Sequence, residues 1–236
     1  MTRHLNAECV LNLRILFRQP GFWIPTVLFP AMLYAFFGAN SGGGAWAANA
    51  MASFMVYAVL GVGFFQFGVT VAQDRESAFA KWQRTLPGHV AYQWVARISA
   101  SVVFVTIAVL CVVVVVVALM MTDVRLGARA WMGLGLVCFI CAITATLMGI
   151  ALGSVCSARA AVPMANLVYL PLAYMGGLWV PPIAMPAAIN TVSQWTPTRA
   201  MGELGWAAVN GAPWDTGYLG LLAVWTVAAV IVVIIA

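Results

Sequence analysis

VAQDRESAFAKWQRTLPGHVAYQWVAR, residues 71–97, sets Asp74, Arg75, Glu76, Lys81, Arg84 and Arg97 between two long apolar runs. One charge at the centre of a bilayer costs about 2.5–3.5 kcal/mol even on a lenient insertion scale. The stretch therefore projects into water, while the sequence on either side reads as membrane. Within it Phe79, Trp82 and Leu86 fall at i, i+3 and i+7 and share one face of a short helix, with Ser77, Lys81 and Arg84 opposite. Pro87 and Gly88 end that helix. Spacing alone leaves two readings open: a solvated loop whose aromatics rest on the bilayer surface, or a docking helix for a cytosolic partner.

Composition fixes the class. The chain is 64% hydrophobic and 7% charged, with a mean hydropathy of +0.99, against about 25% charged residues in soluble proteins. It reads as an all-α integral membrane protein forming a single domain. Spans are expected at 21–39, 46–72, 98–121, 130–154, 161–180 and 216–236, and the pieces between them are too short to hold a soluble core. The net charge of +5 does not point to nucleic acid, because the basic residues sit at span edges, where they anchor and orient helices. Five cysteines, mostly inside apolar runs, imply no disulfide framework. Cys138 and Cys141 spell CxxC, but inside a span and with no second Cys or His pair nearby, so they read as packing residues and no metal site is expected.

Residues 1–19 read as an amphipathic helix lying on the membrane, with Leu5, Cys9, Leu13, Leu16 and Phe17 on one arc and Arg3, Arg14 and Arg18 on another. No compact apolar core followed by a small-residue site marks a cleavable signal peptide. Pro25 and Pro30 should kink the first span. In the fourth span Cys141, Ala145, Gly149 and Gly153 recur every four residues, a small-residue stripe that lets another helix approach closely. The same chain is the favoured source of that neighbour, a second copy the alternative. Residues 181–215 are too polar to span. They read as two short helices, 185–195 and 198–209, separated by Thr196 and Pro197 and stopped at Asn210 and Gly211. Arg199 and Glu203, four apart, can pair on the second. Trp179, Trp195, Trp206 and Trp214 suit a headgroup boundary, so the pair is expected to be re-entrant or surface-lying.

With a cytoplasmic N-terminus, Arg3, Arg14, Arg18, Arg75, Lys81, Arg84, Arg97 and Arg159 lie on one side, and Arg125, Arg129 and Arg199 on the other. The excess of basic residues puts the 73–97 region in the cytosol, both termini on the cytoplasmic side, and the helix pair outside. The expected spans hold no Asp, Glu, Lys, Arg or His, so the relays of a proton-driven carrier are missing. Asn49, Gln66 and Asn166 are the main amides, and they would need broken-helix carbonyls to coordinate Na⁺. His4 and His89 have no carboxylate or Cys at ligand spacing, and no catalytic motif occurs. Lys81 is the single lysine and follows no glycine-rich phosphate loop, so any nucleotide is hydrolysed by another polypeptide.

The order of amphipathic helix, two spans, polar cytosolic helix, three spans, outer helix pair and final span resembles the permease subunit of ATP-binding-cassette exporters of the ABC-2 type. The likeness is sharpened by DRE at 74–76 with RTLP at 84–87, and by GGLWVPPIAMP at 176–186 followed by Thr196 and Pro197. Ser77 and Ala78 stand where many members carry Gly and then a small or hydroxyl residue. The resemblance implies a non-catalytic permease in the cell (inner) membrane, moving a small hydrophobic or amphipathic substrate such as a drug, antibiotic or lipid. It implies two copies of a cytosolic ATPase, which would bind ATP and Mg, and a second permease, identical or paralogous. Asp74, Arg75, Glu76, Phe79, Lys81, Trp82 and Arg84 would couple to the ATPase, flanked by the interface helix with Arg3, Arg14 and Arg18. Spans two and five would line the pathway, offering Phe54, Tyr57, Phe64, Phe65 and Phe67 as an aromatic lining and Asn166 and Tyr169 as polar contacts. A haem or glycan exporter is the alternative inside the family, and an ATP-independent channel or carrier outside it.

Overall fold

The computed structural model describes residues 9–11, 13–15, 17–18, 20–38, 44–77, 90–118, 124 and 126–236, with backbone only at 22, 23, 38, 90–96 and 116–118. Among these residues the chain is helical, with no strand. The elements are α1 (Pro20–Leu33, continued by a π turn Tyr34–Gly38), α2 (Gly44–Glu76), α3 (Val90–Ala118), α4 (Ala128–Val155), α5 (Ala161–Met175), α6 (Ala187–Ser193), α7 (Pro197–Asn210) and α8 (Thr216–Ile235). Among the described residues four helical stretches are long and apolar enough to cross a membrane: Gly44–Glu76, Arg97–Val115, Ala128–Val155 and Thr216–Ile235. Ile24–Phe37 and Ala161–Met175 are shorter apolar helices.

The axle of the fold is α2. Every residue from Met51 to Ala72 is buried except the half-buried Phe65, and α1, α3, α4, α5 and α7 all pack on it. By contrast α8 touches mainly α4 and α7, where Thr144 and Thr226 share a hydroxyl–hydroxyl bond of 2.8 Å. Most of its surface is exposed.

The small-residue stripe of α4 meets α2. Residues Val62–Val69 form a π-helix, whose i→i+5 bonding stacks residues five apart and so brings Gly63 and Gly68 onto one face. A Cβ on Gly149 would collide with the Gly63 carbonyl oxygen, and one on Gly153 with that of Gly68. A Cβ on Gly63 would meet the Ala145 backbone. The close-approach neighbour is thus α2 of the same chain.

Several boundaries move from their expected positions. The second span was expected to end at 72, but α2 runs on through Glu76. It stops at Ser77, whose backbone turns extended and whose Oγ donates to the Asp74 carbonyl at 2.7 Å. Asp74, Arg75 and Glu76 are therefore the last turn of the long helix and do not open a separate one. Likewise α3 starts at Val90, before the expected 98. The fifth span ends at Met175 because Gly177 adopts φ 77° and the Leu178 N–H bonds back to the Ala173 carbonyl at 3.2 Å, a left-handed stop. Thr196 caps α7 by accepting from the Arg199 N–H at 3.2 Å, with Pro197 as first helical residue. Gly211, at φ 69°, ends it as the sequence signals.

Candidate functional site

At its Glu76 end α2 carries three charges in succession, which its helical turn spreads toward several neighbours. Asp74 pairs with Arg97 of α3 at 2.8 Å. Arg75 Nη1 reaches the Gly153 carbonyl at the end of α4, at a long 3.5 Å. Glu76 Oε1 accepts from the Ala158 N–H at 2.9 Å, in the turn between α4 and α5. The DRE motif thus ties the end of the buried axle to α3, α4 and the α4–α5 turn. Phe79, Lys81, Trp82 and Arg84, and Arg3 of the N-terminal segment, lie outside the described residues. Arg14 and Arg18 are exposed, and between them Phe17 packs its ring on Phe104 of α3, with centroids 4.9 Å apart.

The middle of α2 is packed against its neighbours. Tyr57, Phe64, Phe67 and Tyr169 are buried, and Phe65 and Asn166 half-buried. Tyr57 stacks on Tyr169 at 4.9 Å, with Phe65 edge-on to Tyr169 at 5.4 Å. The Tyr169 hydroxyl donates to the Tyr57 carbonyl at 3.2 Å. These residues fasten α5 to α2, aromatic pairing adding to the area they bury. Asn166 donates back to its own helix at Val162, 3.2 Å away, and Asn49 bonds Asn210 of α7 at 2.9 Å. Both ends of the Gln66 amide and the Thr146 hydroxyl are buried with no hydrogen-bond partner among the described residues. The three amides do not converge on an ion site.

At the opposite end of α2 a cavity of about 400 Å³ opens between α2, Phe37 of the π turn that continues α1, the chain after α5, and α7. Phe54 is the one expected pathway residue on its wall, beside Trp46, Trp179, Ile183 and Trp206. Its polar groups are Asn49, Ser53, Arg199 and Glu203. Arg199 is only 7% exposed. Its Nε donates to Glu203 at 2.8 Å, and Nη1 donates to Asn190 Oδ1 at 3.0 Å and Ser193 Oγ at 3.1 Å. The guanidinium also lies 5.8 Å from the Trp206 ring centroid, within cation–π range. Trp206 in turn donates to Ser53 of α2 at 2.8 Å. The Arg199–Glu203 pair was legible as an i, i+4 spacing. Asn190, Ser193 and Ser53 were not, since their partners lie on other helices.

A family model described as ABC-2 family transporter protein matches residues 24–236. The chain belongs to this family. Over 214 residues it is 26% identical to a Bacillus subtilis (strain 168) protein that carries the name transport permease YvfS, covering 88% of this chain and 86% of that one. For an ABC-2 family chain, the DRE knot and the cavity near the Gly44 end are the two polar regions that the buried axle connects. Ser53 and Asp74 are 21 residues apart, roughly 30 Å along a helix at about 1.5 Å per residue. That matches the hydrocarbon thickness of a bilayer, with the apolar core of α2 between.

Proposed function

We propose that this chain is the membrane-spanning permease of an ATP-driven exporter that moves a small hydrophobic or amphipathic molecule. Its spans are α1, α2, α3, α4, α5 and α8, with the Asp74–Glu76 end of α2 in the cytosol and the α6–α7 pair outside. Two copies of a separate ATPase bind ATP and Mg and dock on the segment that follows Ser77, while a second permease completes the pathway. The observation that carries this reading is the DRE knot. A span with no charge in its apolar length must receive force at its end, and here that end is bonded to three neighbouring parts of the bundle. A push on the segment just beyond Ser77 reaches α3, α4 and α5 together. The burial of Tyr57, Phe64, Phe67 and Tyr169 supports a closed resting arrangement in which α2 and α5 must part before substrate passes.

The test is affinity purification of the full chain in mild detergent. An ABC ATPase should copurify, and Trp82→Ala should release it, losing at least about 1–2 kcal/mol of association if Trp82 is an interface anchor. A chain that purifies without any ATPase and still moves solutes in vesicles would establish the channel or carrier reading instead. Orientation is checked separately in intact cells of a cysteine-free variant. Single cysteines at Ser41, Gly127 or Asn210 should react with an impermeant thiol reagent, and one at Ser77 should not. The reverse pattern turns the molecule over.

A further inference from the structure

We propose that the cavity between the Gly44 end of α2 and α7 is a binding site for a phospholipid with a zwitterionic head carrying a primary ammonium. It rests on the membrane orientation above only for which leaflet supplies the lipid. The volume of about 400 Å³ lies in the range of sites that enclose small ligands, roughly 300–1,000 Å³. The wall is divided. Trp46, Trp179 and Ile183 line it and are exposed to 55%, 37% and 86%, so they form an apolar mouth open toward the surroundings of the helices. Inside, the buried Arg199 stands 2.8 Å from Glu203, both on the cavity wall.

That pair decides the chemistry of the ligand. Together the two side chains are neutral, so a purely anionic head meets Glu203 and a cationic one meets Arg199, each repelled by one partner. A head with both charges a few ångströms apart complements both. Its phosphate accepts from the guanidinium, a charge-assisted bond of the strong kind, and its ammonium donates to the carboxylate. Glu203, Asn190 and Ser193 take three of the five guanidinium donors and the Tyr218 hydroxyl bonds the same side chain, which fixes the plane of Arg199 and leaves one donor for the phosphate. The acyl chains then leave along Trp46, Trp179 and Ile183. A water-soluble zwitterion uses the inner half of this site and wastes the apolar mouth.

The experiment titrates the full-length protein in neutral detergent with short-chain phosphatidylethanolamine and phosphatidylglycerol, each fluorescent on one acyl chain. Phosphatidylethanolamine should bind about tenfold more tightly. Glu203→Gln should abolish that preference, weakening phosphatidylethanolamine by loss of its ammonium partner and relieving the repulsion of phosphatidylglycerol. Trp179→Ala, outside the Arg199 network, should weaken both lipids several-fold, which keeps the test intact if Glu203→Gln disturbs folding. Glycerophosphoethanolamine, which lacks acyl chains, should compete poorly. Equal affinity for the two lipids, a preference that survives Glu203→Gln in folded protein, or indifference to Trp179→Ala overturns the proposal. Competition by glycerophosphoethanolamine as strong as by the lipid would make the occupant a soluble zwitterion and overturn the lipid assignment. None of these readings involves the ATPase, so they succeed or fail independently of the transport function.

Discussion

The two ends of α2 are both polar and both tied to neighbouring helices, yet they are built on opposite principles. At the Glu76 end the bonds are made by charges in contact with water: the Asp74 side chain is 56% exposed and Arg97 22%. At the Ser53 end the charge is buried, Arg199 being held by Glu203, Asn190 and Ser193, while α2 is gripped by neutral groups through Ser53–Trp206 and Asn49–Asn210. An exposed ion pair contributes about 0–1 kcal/mol and is easily exchanged for water. A buried one costs several kcal/mol to break from one side. One end is made to let go and the other to hold, as expected of an axle pushed at one end and anchored at the other.

The largest effect should come from the anchored end. Arg199→Met leaves Glu203 without its counter-charge and Asn190 and Ser193 without their donor. It should cost about 3–5 kcal/mol, read as a lowered unfolding midpoint in detergent and as loss of folded protein. If Arg199→Met unfolds like wild type, the Ser53 end is no firmer than the other, and the contrast between them is lost.

Between the ends, Gly149→Ala should cost about 1–3 kcal/mol, the usual range for overpacking, because the new methyl group falls on the Gly63 carbonyl. The same change at Gly135, where a Cβ would meet nothing, should leave the unfolding midpoint unchanged. Equal tolerance at both sites would mean that α2 and α4 slide freely, and force at Glu76 would not reach the Ser53 end through their contact.

Parts of this arrangement were legible in the sequence, and the reasons are specific. The four-residue rhythm of Cys141, Ala145, Gly149 and Gly153 announces a close helix contact because small residues are the one general way for helix backbones to touch in a membrane. Arg199 and Glu203 announce their pair by helical spacing, and Gly211 its stop by the left-handed turn. The π-helix escaped because Gly63 and Gly68, five apart, fit no α-helical face. Tyr57, Phe64 and Phe67, read as pathway residues, are buried here; sequence does not separate the two roles, since in a membrane protein a core residue and a channel-lining one are equally apolar. Asp74 to Glu76 were placed beyond the span because charge marks where the bilayer ends, not where the helix does. That stop depended on Ser77 bonding back to Asp74.

The smallest effect on stability, and the most informative one on mechanism, is expected at Glu76. Glu76→Ala removes the acceptor of the Ala158 N–H, but that bond is solvent-exposed, so water replaces it and the cost should stay within about 1 kcal/mol. On the proposed function the protein should insert, fold and hold its ATPase, because the segment proposed to dock it follows Ser77 and is unchanged. What should fall is substrate moved per ATP hydrolysed, since the α4–α5 turn is no longer pulled with α2. Val113→Ala, in the half-buried middle of α3, serves as the control and should leave that ratio intact. A Glu76→Ala protein with a normal ratio would show that the turn follows α2 without this bond. The Glu76 end would then differ from the Ser53 end in exposure alone, not in purpose.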